Sequence, residues 1–315
     1  MMLPYKNKIS SLIFLSLIFL LPTISSSYFQ DYCAGVRPTG MGKAFVAVAD
    51  DIHALYWNSA GLANLEQYEI MAMYSTLFTG LEIKRFDNKV ERLGYSAIAG
   101  AVPLVGSLGS VGLGWTQFKA LEYQENTMDL SYANNINLRG EKISLGVKVK
   151  LLNWLHTTNK YTKEESKLAA TADLAMLYPI SETFSLGMSF ENLIPAELGV
   201  TTSEKMPRIV RLGFAWKQKV ALPSLSEILI STEYANRNYS DNQNVFALGM
   251  EAKLLKELFA IRLGANSTEI TMGLGGKYAL AVHNTNIKLD YAFSLPWYVK
   301  ENLGMHRLAL TIAWK

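Results

Sequence analysis

The stretch Gly94–Phe118, GYSAIAGAVPLVGSLGSVGLGWTQF, decides between two folds. It carries no charge, and a hydropathy window marks such a run as a transmembrane helix. Six glycines and a central Pro103 argue against that: inside a helix each Gly costs ~1 kcal/mol relative to Ala, and Pro costs ~3. The finer pattern has a period of two. Tyr95, Ala97, Ala99 and Ala101 alternate with Gly94, Ser96, Ile98 and Gly100; Val111, Leu113 and Trp115 alternate with Gly112, Gly114 and Thr116. Two strands joined by a turn over 103–107 fit both the composition and the period.

The same period runs from Tyr68 to the end. Ile143, Leu145, Val147, Val149 and Leu151 oppose Ser144, Gly146, Lys148 and Lys150, and comparable runs occupy 246–254, 287–295 and 307–314. Marking every run gives fourteen expected strands: 68–79, 92–102, 108–118, 126–135, 141–152, 168–178, 183–192, 207–218, 226–235, 243–254, 257–265, 269–280, 286–295 and 304–314. Their length suits tilted strands crossing a bilayer, and fourteen is even, as in single-chain bacterial barrels. The fold expected is all-β: a transmembrane antiparallel β-barrel of about 14 strands, with a short N-terminal helical hatch or plug. Leu248, Met250, Ile287, Leu289, Leu308 and Leu310 are expected to face lipid; Lys148, Glu251, Arg262, Lys288, Asp290 and Arg307 are expected to face the lumen. Tyr68, Trp154, Tyr178, Phe259, Tyr278, Trp297 and Trp314 lie near strand ends and are candidates for interfacial girdles. The first, third, fifth, seventh, ninth and thirteenth connections are mostly long and polar. The second, fourth, sixth, tenth and twelfth are short, and the eleventh (266–268) breaks the rule. Long loops outside and short turns in the periplasm place both termini on the periplasmic side. A soluble β-sandwich also alternates; the leader below, the strand number and the aromatic strand ends weigh against it.

Residues 1–27 read as a signal peptide: Lys6 and Lys8, the uncharged run 12–22, then Ser25 and Ser27 at the cleavage positions. A helix over that run rises only ~16 Å, about half the hydrocarbon thickness, which disfavours an anchor. The division expected is 1–27 leader, 28–66 N-terminal hatch and 67–315 barrel. With 30 basic and 27 acidic residues the charge balance gives no footprint for nucleic acid. Mean hydropathy is +0.10 although half the residues are hydrophobic, a combination that fits alternating strands. Cys33 is the single cysteine, so an intrachain disulfide is excluded, and Gln30-Asp31-Tyr32 before it is not a lipidation signal. A buried thiol in the hatch is the reading. The four histidines (His53, His156, His283, His306) lack metal-ligand spacing, and the sequence calls for no metal or cofactor.

The segment before the barrel has its own pattern. Ala34–Gly42 is small and turn-rich, and Lys43–Ala49 is apolar. Asp50 and Asp51 precede Ile52, Ala54, Leu55 and Trp57 at helical spacing. An aspartate there caps a helix, and Gly61 beyond Asn58 suits its stop; a cap is favoured over a catalytic carboxylate pair. Met41, Phe45, Val48, Leu55 and Trp57 are expected to pack the segment against the barrel wall.

The run Gly40-Met41-Gly42-Lys43-Ala44-Phe45, continued by Asp50-Asp51 and by Tyr56-Trp57-Asn58-Ser59-Ala60-Gly61, resembles the N-terminal signature of FadL/PorV-type outer-membrane proteins, closest to the PorV/PorQ branch. The signature spans about two dozen residues; elsewhere only the strand layout is compatible. The resemblance implies a fourteen-stranded barrel in the cell outer membrane with an N-terminal hatch in its lumen. For the FadL side it implies passage of hydrophobic compounds, and for the PorV branch a non-enzymatic part of a secretion system. The family's Asn-Pro-Ala motif maps to Asn58-Ser59-Ala60, with Ser59 in place of Pro. Transport of a hydrophobic small-molecule ligand is therefore the first functional expectation. The Gly-rich early strands (Gly94, Gly100, Gly112, Gly114) mark either a bend or gap in the wall or room for the hatch, and room for the hatch is favoured. A secretion accessory, whose outer loops 153–167 and 193–206 hold a secretion-system protein, is the alternative. An enzyme ranks last, because no Gly-x-Ser-x-Gly or Ser/His/Asp arrangement is present. The partners expected are outer-membrane lipid and one of these two.

Overall fold

Period-two alternation leaves each strand with one apolar and one polar face, and closing such strands on themselves removes every sheet edge. The computed structural model describes residues 34–81, 83–84, 90–121, 123–156, 165–198, 206–238, 242–281, 284–299 and 302–315. The leader, Cys33 and parts of the long connections, including most of 85–89, 157–164 and 199–205, lie outside these. Fourteen strands form one closed antiparallel barrel. They are β1 (Tyr68–Leu77), β2 (Leu93–Pro103), β3 (Ser110–Ala120), β4 (Tyr123–Leu138), β5 (Glu141–His156), β6 (Glu165–Pro179) and β7 (Phe184–Glu191), followed by β8 (Arg208–Lys219), β9 (Leu225–Asn238), β10 (Asn242–Leu254), β11 (Phe259–Asn266), β12 (Glu269–Leu280), β13 (Thr285–Pro296) and β14 (Met305–Trp314). Each pairs with its sequence neighbours, and β14 returns to β1, with Tyr68 opposite Trp314 and Thr76 opposite His306. A two-residue pairing of Ile83–Lys84 with Val90–Glu91 decorates the first long connection.

The two faces separate as the alternation predicts. Leu248, Met250, Leu289, Leu308 and Leu310 are 43–54% exposed on the exterior, with Ile287 half-buried beside them. Lys148, Glu251, Arg262, Asp290 and Arg307 are buried in the lumen, and Lys288 is half-buried there. An apolar outside around a charged inside inverts the plan of a water-soluble protein. Lipid is the solvent that suits it.

Two expectations need correction. Trp154 does not join an outer girdle. It is buried, donates its indole N–H to the Leu198 carbonyl at 2.9 Å and stands 6.3 Å from the Tyr123 ring. That inward aromatic cluster extends β4 and β5 past their expected ends, so the third connection shrinks to 121–122 instead of a long loop. The ninth shrinks likewise to 239–241, because β9 and β10 stay paired out to Asn238 and Asn242. The Gly-rich strands follow the favoured reading, room for the N-terminal segment rather than a gap in the wall. The ladders β1–β2, β2–β3 and β3–β4 run in unbroken register; a register shift occurs in the β9–β10 ladder between Leu225 and Glu227. Gly112 and Gly114 face inward against Leu55, Leu62 and Tyr56, so they make room for the N-terminal segment. The aromatics that do lie outside include Phe259, Tyr278 and Trp297, together with Tyr68, whose ring stacks on Trp314 at 5.8 Å.

The facing of β13 is testable by substitution. Arg at a lipid-facing midplane position costs ~2–4 kcal/mol, so Leu289→Arg is expected to lower the unfolding free energy by that amount, read as a lower urea midpoint in detergent or lipid. An undiminished midpoint would show that Leu289 does not face lipid.

Candidate functional site in the barrel lumen

The helices of the N-terminal segment are too short to stand alone in water: α1 is Val36–Gly40, α2 is Ala54–Trp57, and a 3₁₀ turn covers Ser59–Asn64. Most of the backbone amides and carbonyls between these pieces have no helical partner and need one from elsewhere. Inward-facing wall side chains supply it. Glu233 on β9 accepts the amides of Phe45 and Val46, both at 2.9 Å. Glu69 on β1 accepts the Ile52 amide at 2.8 Å. Ser231 and Ser185 donate to the carbonyls of Ala44 and Ala47, at 2.6 and 2.7 Å. Thr271 accepts the Gly42 amide, and Asn266 donates to the Gly42 carbonyl. The approach is close enough that a Cβ at Gly187 would collide with the Val46 carbonyl, and one at Gly249 with that of Met41.

Charges fix the segment's position. Arg37 on α1 is buried and forms a two-pronged pair with Glu251 of β10, at 2.9 and 2.8 Å, and also reaches Asp50 at 2.5 Å and Asp51 at 2.7 Å. Glu251 is shared with Arg262 of β11 at 2.6 Å, which continues to Asp290 of β13 at 2.6 Å. Two strands along from Glu251, Arg211 of β8 joins Glu191 at 2.6 Å and Glu233 of β9 at 3.0 Å, with its guanidinium 5.0 Å from the Trp57 ring centre. Burial alone would raise the Asp50 carboxyl; Arg37 and Lys217 outweigh it and hold Asp50 well below the ordinary carboxylate range. Burial likewise opposes charge on Asp51, and the His53 ring and Arg37 overcome it. The same carboxylates, against the effect of burial, raise the Arg37 guanidinium.

The residues singled out in the sequence come together here, though several act differently from expectation. Met41, Phe45, Val48 and Trp57 pack in one apolar cluster with Ala215 and Leu229. Leu55 packs in another, with Met71, Met73 and Ala97. Gly40 lies against the wall backbone at Gly273, and its carbonyl accepts from Thr271. Neither aspartate caps α2, whose N-cap is His53 with no side-chain cap bond; Asp51 accepts the His53 amide at 2.9 Å in the turn before it and contacts His53 Nδ1 at 2.8 Å. Asp50 bridges Arg37 and Lys217. Tyr56 donates its hydroxyl to the Ile98 carbonyl in the wall, and Trp57 donates to the Ala34 carbonyl. Asn58 ends α2, and its side chain donates to the carbonyls of Val46 and Met176 while accepting the Ala60 amide. The Ser59 hydroxyl has no hydrogen-bond partner. Gly61 does not stop the helix; it lies within the 3₁₀ turn, where any Cβ would strike the Ala49 carbonyl. Arg37 has no local signal in the sequence beyond a lone charge in a small-residue run, because its partner Glu251 lies 214 positions away.

Two cavities flank the segment. One of about 150 Å³ lies toward the short turns and is charged, with Arg37, Asp50, His53, Glu251, Lys277 and Lys288 among its lining. The other, of about 110 Å³, lies toward the long loops and is bounded by Ala34, Tyr56, Tyr95, Phe118 and Asp129. The described ends of the β7–β8 connection lie by this cavity: Asn192, Met206 and Pro207 line it, and Ala196 and Leu198 are buried against Leu152 and Trp154. Asn192 fixes the base of that connection by donating to the Pro207 carbonyl at 2.7 Å. Among the described residues no group of His, Cys, Asp and Glu is placed to hold a metal.

No protein-family model matches the chain. No curated protein is significantly similar in sequence. Solved structures are similar in fold. The toluene transporter TbuX of Ralstonia pickettii superposes with a TM-score of 0.57 at 11% identity, over 91% of this chain and 99% of that one. A FadL homologue from Pseudomonas aeruginosa gives 0.58 at 9% identity, over 93% and 98%. The toluene transporter TodX of Pseudomonas putida gives 0.55 at 10% identity, over 92% and 99%. The chain thus has the fold of the FadL-type outer-membrane channels.

Two outcomes follow from the charge network. Removing one partner of a buried pair costs ~3–5 kcal/mol, so Arg37→Leu is expected to expose the amides of 36–57 to hydrogen exchange while the barrel strands stay protected; equal protection in variant and parent would contradict the role given to Arg37. The depressed Asp50 and Asp51 contribute stability that is present above their unfolded value, near 3.8, and is lost only as pH falls through the lower folded values. The protection factors of this segment, corrected for the pH dependence of intrinsic amide exchange, are therefore expected to be the same at about pH 7 and about pH 5, both above the unfolded carboxylate range. Loosening between those two pH values would show that the carboxylates are not held low.

Proposed function

We propose that the protein is an outer-membrane channel for hydrophobic small molecules, with residues 34–65 acting as a hatch that must shift for a ligand to pass. The observation that carries this reading is the placement of a packed, wall-bonded segment between two cavities in a barrel whose wall is continuous at the Gly-rich strands. Without a gap there, the route from the loop-side cavity to the turn-side cavity runs past the segment. The polar lumen disfavours a wide apolar tunnel, and the aromatic lining of the loop-side cavity gives an apolar solute a first resting place. The likeness in fold to two toluene transporters supports the same class of cargo. The long loops then face outward, the short turns and both termini face the periplasm, and the exterior contacts outer-membrane lipid.

A second reading, a PorV-like secretion accessory, is favoured by the signature from Gly40 to Ala63. In that role the hatch is a permanent filling and the outer loops hold a protein partner. Deleting 34–63 separates the two. Transport predicts a barrel that still inserts, with larger and less selective single-channel conductance, and a parent that takes up toluene in liposomes. No uptake by the parent, together with a stoichiometric partner on pull-down of the native protein, would favour the accessory.

A further inference from the structure

The loop-side cavity is lined by acceptors that take no hydrogen bond among the described residues, Asn192 Oδ1 and the Asp129 carboxylate. Asp129 of β4 is 3% exposed and lines the cavity; its carboxylate takes no hydrogen bond among the described residues, and the Lys148 and Lys150 ammonium groups act on it only through space. The other charges around it are already engaged. Lys150, directly across the ladder from Asp129, turns instead to Asp173 at 2.8 Å, and Lys148 joins the same carboxylate at 3.1 Å. Glu191 is held by Arg211, and Glu125 accepts the Tyr123 hydroxyl at 2.6 Å. The rings of Tyr56, Tyr95 and Phe118 line the same cavity, Phe118 on the strand paired with that of Asp129. A buried acceptor left open beside ring faces is costly unless a ligand completes it.

From this, and resting on the channel reading above, we infer that the loop-side cavity binds an aromatic solute bearing a neutral hydroxyl, of the phenol class, with the ring against Tyr95 and Phe118 and the O–H donated to Asp129. A carboxylate head is disfavoured, since it would meet Asp129 as a like charge. A plain hydrocarbon leaves the acceptor unmet. A full cation gains less than Asp129 alone suggests, because the Lys148 and Lys150 ammonium groups line the same space. Sites built to pair a hydroxyl discriminate strongly against the analogue that lacks it.

The test uses the full-length barrel in detergent, with calorimetric binding of p-cresol, toluene and benzoate, and liposome uptake of the same three. The expected result is p-cresol binding at least about tenfold tighter than toluene, the scale of one buried hydrogen bond, with benzoate weakest. Asp129→Leu is expected to bring p-cresol down to the level of toluene, while Leu130→Ala, on the outer face, keeps the parent's preference. Heat-modifiability on gels checks that each variant folds; if Asp129→Leu fails this check, Asp129→Asn, smaller in its perturbation, is read in the same way for a weakened preference. Equal binding of p-cresol and toluene by the parent, with uptake of both, would overturn the hydroxyl inference and leave the channel reading standing. Neither binding nor uptake of any of the three would overturn both.

Discussion

The N-terminal segment is held against the barrel wall by the buried cross-link between Arg37 and Glu251. One guanidinium on a five-residue helix joins the wall of the barrel to Asp50 and Asp51 of the same segment, and Glu251 passes the link through Arg262 to Asp290. A charged lumen is expensive if left empty of partners, and a strand-poor segment is expensive if left without hydrogen bonds. Each resolves the other's deficit. Wall carboxylates and hydroxyls take up the amides and carbonyls that short helices leave open, and the segment covers wall charges that would otherwise lie bare.

This explains why the wall is chemically uneven. Where the segment's backbone passes closest, the inward residue is Gly, as at Gly187 and Gly249. Where its polar groups need partners, the inward residue is Ser, Thr or Glu. Where its apolar side chains land, the wall offers Ala215, Leu229 or Met71. The outer face ignores these differences and stays apolar throughout, since lipid asks only that no charge face it.

The barrel was legible because alternation is a local property: Leu289 and Asp290 declare their faces within a few residues, and fourteen such runs fix the strand number. The ends were less legible. Trp154 looked like a girdle residue because its position near a strand end was visible, whereas its turn inward depends on Leu198, contributed by a later connection. The site was legible as a set of residues and not as a set of bonds. Gly40 to Gly61 stood out by composition, yet the partners of Arg37, Phe45 and Gly42 lie some two hundred positions away, and no local pattern selects Glu251 over Glu227 or Glu269. Asp129 was invisible for the same reason: an inward acidic residue is ordinary in such a barrel, and only the pairing of Lys150 with Asp173 leaves it open.

The central claim is that passage through the barrel depends on movement of the segment held by this network. A covalent tether tests it most directly. Ala44 and Ser231 are already joined, the Ser231 hydroxyl donating to the Ala44 carbonyl at 2.6 Å. With Cys33 replaced by Ala, cysteines at 44 and 231 would bind the segment to β9 under oxidising conditions. Toluene uptake into liposomes should fall to background when the bridge is closed and return on reduction. Uptake unchanged by closing the bridge, with the cross-link verified by mass spectrometry, would contradict the account.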